Sequence, residues 1–144
     1  MELLLKQIEN IVDKDLPLIS NLSNISSILF KMSDINWAGF YLVDGDYLYL
    51  GPFQGDVACT KIKKGNGVCG TSFERKETIV VPNVNEFIGH IACSSLSKSE
   101  IVVPVIVNGQ VKLVIDIDST IFDRFHEEEK EFVEKVAKII AYLY

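Results

Sequence analysis

The sequence predicts an α+β fold, with helices at both ends around a mainly antiparallel sheet. Three observations carry this. Apolar residues recur at helical spacing in the first thirty or so positions and again after His126. Between them, several segments are rich in branched and aromatic residues and read with period two. The turn signals "DGD" (44–46) and "NGQ" (108–110) separate two pairs of these segments.

Taken in order, residues 2 to about 12 form a first helix on the spacing of Leu4, Leu5, Ile8, Ile11 and Val12. Pro17 opens a second helix with Leu18, Leu22, Ile25, Ile28 and Leu29 on its apolar side. "INWAGFYLV" and "YLYLGPF" make a hairpin over 35–53, and "GDVACTKIKK" contains a third strand. "GNGVCGTSFERKE" starts with glycines and becomes helix-compatible. "TIVVPNV" is a short strand closed by proline, and 85–99 is a loop with room for a helical turn. "EIVVPVIV" and "VKLVIDID" are strands whose turn closes near Val107 and Val111. From about His126 the chain is helical. Glu127, Glu128 and Glu129 suit the positive end of its dipole, and Phe132, Val133, Val136, Ile139, Ile140 and Leu143 form its apolar face. The terminal helices should pack on one face of the sheet, leaving loops to cover the other and shape a pocket.

Length and composition narrow the classes. The 144 residues fit one domain, and 48% hydrophobic content supports a real core. No apolar run reaches the roughly 18–20 residues of a membrane span, and "MELLLKQIEN" lacks the pattern of a secretion signal. The expectation is a cytoplasmic protein with no membrane partner. Net charge is −6, and "KIKK" (61–64) is the main cationic cluster, better suited to coating a loop than to gripping nucleic acid. Three cysteines, an odd number, argue against a disulfide framework. They contain no CxxC pair, and His90 and His126 fall in no ligand pattern, so no metal is expected. Free cysteines also serve as small buried hydrophobes.

Strand alternation sorts the polar residues. In "KLVIDIDS", Leu113, Ile115 and Ile117 face the core, while Asp116 and Asp118 share the other side with Val114. Neighbouring like charges should raise one carboxyl pKa and leave a general acid near neutral pH. Glu100 opens the preceding strand, and the hairpin brings it near Asp118. Trp37, Gly39 and Tyr41 share one face: two aromatics with a gap between them that a ligand could enter, opposite Ala38, Phe40 and Leu42 in the core. Cys93 lies in the Gly/Ser-flanked stretch "GHIACSSLSKSE" (89–100). A cysteine beside acids suits chemistry in which a substrate is protonated while sulfur attacks. Sulfoxide reduction needs that combination: a sulfenic acid forms, and a second cysteine closes a disulfide.

"NWAGFYL" (36–42), "LGPFQGDVAC" (50–59), "GNGVCGTS" (65–72), "VPNVNEFIGHIACSSLSKSEIVVP" (81–104) and "LVIDIDS" (113–119) together resemble the free methionine-(R)-sulfoxide reductase family, built on a GAF domain. The resemblance implies a single GAF domain over 1–144, with a six-stranded antiparallel sheet flanked by N- and C-terminal helices. It also implies a cytosolic enzyme converting free L-methionine-(R)-sulfoxide to methionine without a prosthetic cofactor. The reductant would be an external dithiol such as thioredoxin, and the oligomer a homodimer. By position, Cys93 takes the attacking role. Cys59 and Cys69 hold the other two redox positions, with the resolving cysteine undecided between them and Cys59 the first choice. Glu100, Asp116 and Asp118 match the acids that bind substrate and protonate the sulfoxide. Glu100 and Asp118 would contact its oxygen and Asp116 the amino group. Trp37 and Tyr41 match the aromatic wall. A GAF sensor without catalysis and a thiol redox switch remain the rival readings.

Overall fold

The computed structural model describes residues 1–89 and 96–144. Helix α1 (Glu2–Ile11) buries Ile8, and α2 (Leu18–Leu29) buries Leu22, Ile25, Ile28 and Leu29. Their junction is closed by Asn21. Its Oδ1 accepts from the Asp13 N–H at 2.9 Å and its Nδ2 donates to the Asp13 carbonyl at 2.8 Å. Pro17 precedes α2 and accepts from the Ser20 N–H at 3.0 Å, so the residue that lacks a donor stands where none is needed.

Six antiparallel strands follow: β1 (Ile35–Asp44), β2 (Tyr47–Gly55), β3 (Lys61–Lys63), β4 (Ile79–Val81), β5 (Ser99–Val107) and β6 (Gln110–Ser119), in the order β3-β2-β1-β6-β5-β4. Helix α3 (Gly67–Arg75) lies between β3 and β4, a short 3-10 turn (Val84–Glu86) follows β4, and α4 (Glu127–Tyr142) closes the chain. The His126 N–H donates to Glu129 Oε1 at 2.8 Å, so one of the three glutamates of the first turn caps α4 directly. Among the described residues, no helix is long and apolar enough to cross a membrane.

The sheet separates two cores. On one face, Ala38, Phe40, Ile101, Val103, Leu113, Ile115 and Ile117 pack under α1, α2 and α4, as the alternation predicts. On the other, Trp37, Tyr41, Leu48, Val102 and Val114 pack with Val68, Cys69 and Phe73. This second face departs from expectation, because a helix, α3, covers it rather than loops alone. The glycines of "GNGVCG" obscure the helical pattern, yet Val68, Cys69 and Phe73 are all buried against the sheet.

The β5–β6 register decides where the acids fall. Asn108 and Gly109 both have positive φ (52° and 78°), which makes a tight two-residue turn pairing Val107 with Gln110 rather than with Val111. Continued unbroken, that register would set Glu100 opposite Ile117 and turn it into the helix-side core. A bulge intervenes: Ile106 pairs with Val111 but Val105 with Leu113, leaving Lys112 as the extra residue. Beyond it, Glu100 stands directly opposite Asp118.

Candidate active site

Three strands and one helix build a single pocket. Asp118 pairs with Glu100 of β5 on one side and with Trp37 of β1 on the other. Asp116 is flanked by Val102 and Gly39 in the same way. The pocket is lined by Trp37, Tyr41, Ala58, Cys69, Ser97, Glu100, Asp116 and Asp118, together with Asn66, Gly67 and Val68 at the start of α3. The opening turn of α3 therefore brings its backbone N–H groups and positive dipole end to a pocket otherwise rich in carboxyls.

Glu100 and Asp116 are each only 6% exposed, and Cys69 is 4% exposed. Burial, and then the Asp118 charge, push the Glu100 carboxyl well above its ordinary range. Burial, and then Asp116, do the same to Asp118. The expected rise is present, but its largest cause is removal from water rather than the neighbouring charge. Glu100 and Asp118 are hydrogen-bonded side chain to side chain. Two carboxyls can bond in this way only when a proton lies between them.

Cys69 Sγ and carboxylate oxygens of Glu100 and Asp116 all lie within 4.8 Å of one another. Their donor types could surround a cation. Burial pushes both the Cys69 thiol and the Glu100 carboxyl up, so a cation would have to displace protons from each. Although Cys69 sits in the first turn of α3, burial followed by Asp116 and Glu100 outweighs the helix dipole, and the thiol stays neutral. Cys69 is a free thiol, whereas Cys59 is disulfide-bonded. Cys93 lies outside the described residues.

The aromatic wall differs from expectation in one respect. The space above Gly39 is not left open for a ligand. A Cβ there would lie 2.4 Å from Phe53 Cβ and 2.8 Å from Trp37 Cη2, because the indole leans along its own strand. Trp37 stacks on Tyr41 at 5.9 Å and on Phe53 at 5.2 Å, forming a continuous wall. Both polar tips hold the loop that carries Cys59. Trp37 Nε1 donates to the Asp56 carbonyl at 3.1 Å, and the Tyr41 hydroxyl donates to the Cys59 carbonyl at 2.9 Å.

Residues 17–143 match the GAF domain family. The chain is 48% identical to the free methionine-R-sulfoxide reductase of Saccharomyces cerevisiae, over 97% of this chain and 83% of that protein. It is 46% identical to the protein of the same name from Escherichia coli, over 85% of this chain and 78% of that one. The chain belongs to the free methionine-R-sulfoxide reductase family. Its fold superposes on the Neisseria meningitidis free methionine-R-sulfoxide reductase, solved in complex with its substrate, with a TM-score of 0.92 at 42% identity, covering 97% of this chain and 85% of that one.

Two polar residues, one lining the pocket and one behind it, were not singled out from the sequence. Ser97 lines it beside Asp118, whose ionised form it favours. Asn36 Nδ2 donates to Ser97 Oγ at 3.2 Å. The only sequence signal was adjacency to Trp37 and to the serine run, and both residue types are commonplace near strand ends. Asn36 Oδ1 is buried without a hydrogen-bond partner among the described residues. Such a group costs about 1–3 kcal/mol, so its retention calls for an explanation.

Proposed function

We propose that the protein is a single GAF domain over 1–144 that reduces free methionine-(R)-sulfoxide to methionine. The observation that carries this reading is the Glu100–Asp118 pair. It is two carboxyls on adjacent strands, hydrogen-bonded and pushed up by burial, in a pocket walled by Trp37 and Tyr41. Such a pair holds a proton at neutral pH and can deliver it to a sulfoxide oxygen.

In the proposed reaction the Cys93 thiolate attacks the substrate sulfur while Glu100 protonates the oxygen. The protonated oxygen passes from the substrate sulfur to the Cys93 sulfur as the S–O bond and the transient sulfur–sulfur bond break, so methionine leaves and Cys93 is left as a sulfenic acid. The Cys59 thiol then displaces water from that sulfur and forms a disulfide. A thioredoxin-like dithiol gives up two electrons to reopen it and becomes a disulfide itself. Cys59 suits the resolving role because it is disulfide-bonded while Cys69 keeps a buried neutral thiol. Asp116 takes the substrate ammonium, the indole of Trp37 packs on the methyl group, and the opening turn of α3 faces the carboxylate. No resident cofactor enters the scheme. A cytoplasmic homodimer completes the reading.

The test is turnover of free methionine-(R)-sulfoxide with thioredoxin, thioredoxin reductase and NADPH. NADPH loss should match methionine release one for one. A protein that binds the sulfoxide without releasing methionine would be a sensor, and this reading would fall.

A further inference from the structure

Cys59 sits on the connection between β2 and β3, residues 56–60. Among the described residues, the backbone–backbone bond this connection makes outside the ladders is at its far end, where the Thr60 carbonyl accepts from the Leu50 N–H at 3.0 Å. Two side chains of β1 hold the rest. Trp37 Nε1 donates to the Asp56 carbonyl at 3.1 Å, and the Tyr41 hydroxyl donates to the Cys59 carbonyl at 2.9 Å. The two bonds grip the connection where it leaves the sheet and at the redox residue itself.

The grips are themselves fixed. The Trp37 and Tyr41 rings stack at 5.9 Å, and Phe53 backs the indole at 5.2 Å. Gly55 pairs with Trp37 and has φ of 128°, so the chain leaves β2 pressed against the indole. A Cβ at Gly55 would lie 2.7 Å from Trp37 Cδ1 and 2.7 Å from the Asn36 carbonyl oxygen, an approach that glycine alone allows. Asn36 abuts Gly55 through that carbonyl and braces Ser97 Oγ through Nδ2 at 3.2 Å, which is reason to retain an amide whose Oδ1 is buried. Cys59 is disulfide-bonded in this arrangement, so the position the two ring tips hold is the closed one.

We infer that Trp37 and Tyr41 are positioning residues for the second step of the reaction: their polar tips hold residues 56–59 where the Cys59 sulfur meets the sulfenic acid, while their ring faces wall the substrate. In that step the Cys59 thiolate attacks the sulfenic sulfur. The S–S bond forms, the S–O bond breaks, and the departing hydroxide takes up a proton and leaves as water. The ring tips give no proton and take none. Their contribution is geometric, and a reacting atom misplaced by about 1 Å can slow a step about 10²-fold. One rigid stack thus serves as the reference for both steps. The inference rests on the reductase reading for the natural source of the sulfenic acid, but its test makes that acid another way.

The test is the rate of disulfide closure in wild type, Trp37→Phe, Tyr41→Phe, the Trp37→Phe/Tyr41→Phe double variant, and Ile140→Val as a control in the helix-side core. Each protein is reduced with dithiothreitol, freed of it and given one equivalent of hydrogen peroxide. The peroxide oxidises a thiolate to a sulfenic acid as its O–O bond breaks and water leaves. Dimedone and an alkylating agent quench the reaction at intervals, and mass spectrometry counts trapped sulfenic acid against disulfide. Each single variant keeps an aromatic ring and loses one donor, so closure should slow about tenfold while trapped sulfenic acid rises. The double variant should slow by about 10²-fold. Ile140→Val should melt at a lower temperature yet close at the wild-type rate, which separates positioning from stability. Wild-type closure in the double variant, or a delay in Ile140→Val as large as in Trp37→Phe, overturns the inference. Tyr41→Phe decides the matter alone if Trp37→Phe does not fold. Slowed closure in a protein that releases no methionine from the sulfoxide overturns the function and leaves the positioning role standing.

Discussion

The Tyr41 hydroxyl donates a 2.9 Å hydrogen bond to the carbonyl of Cys59. A residue read from the sequence as substrate wall thus also tethers the disulfide-bonded Cys59. Tyr41 is 2% exposed, and burial, then Asp116, pushes its phenol up, so the donor stays protonated. Tyr41→Phe should keep the ring stack and lose the tether. We expect destabilisation of about 1 kcal/mol, a melting temperature lower by about 2–4 °C, and slower disulfide closure after one turnover. A Phe variant matching wild type in both melting and closure would show the tether to be inert.

Glu100→Gln should remove the transferable proton with little change in volume. Turnover of free methionine-(R)-sulfoxide should fall by about 10²–10⁴-fold, the usual contribution of a general acid. Stability should respond in the opposite sense. A carboxyl whose folded pKa is raised stabilises fully below its unfolded pKa, 4.5 for Glu100, and that contribution is lost as pH rises through the folded value. Wild type should therefore lose urea resistance as pH rises above 4.5, and Glu100→Gln should lose less. If the two stability curves run parallel, Glu100 is not the strained acid described above.

Cys59→Ser and Cys69→Ala should separate the roles of these two cysteines. With Cys59 replaced, one equivalent of methionine should form and turnover with dithiol should stop, because no disulfide can close. Cys69→Ala should still form the disulfide, with a stability loss of about 1 kcal/mol from the small void. Thiol counting after a single turnover reads both. Disulfide formation that persists without Cys59 and vanishes without Cys69 would reverse the assignment.

Gly39→Ala probes the aromatic wall. The added methyl would meet Phe53 Cβ and Trp37 Cη2 at 2.4 and 2.8 Å, so the indole must move. Overpacking of this kind costs about 1–3 kcal/mol. KM for the sulfoxide should rise, and the fluorescence of the single tryptophan should shift. Unchanged emission and KM would mean the ring position is irrelevant to binding.

Much of this was legible because strands obey a period of two. The alternation in "KLVIDIDS" separated Leu113, Ile115 and Ile117 from Asp116 and Asp118, and both sets lie on the predicted faces. The helix boundaries followed from spacing, Pro17 and the glutamates before Phe132. Helix α3 over the second face was less legible, because glycines at its start look like loop. Asn36 and Ser97 carried little signal beyond adjacency to Trp37 and to the serine run, since 61 positions separate one from the other.

The sequence by itself determined the secondary elements, the two faces of the sheet and the residue types available for acid–thiol chemistry. These depend on local periodicity and side-chain identity, which the chain carries without folding. Tertiary structure alone decided that Glu100 meets Asp118 and not Ile117, and that Cys69 is buried among carboxyls. Each of these depends on one extra residue in a ladder or on the exclusion of water. Neither is a property of any segment taken alone.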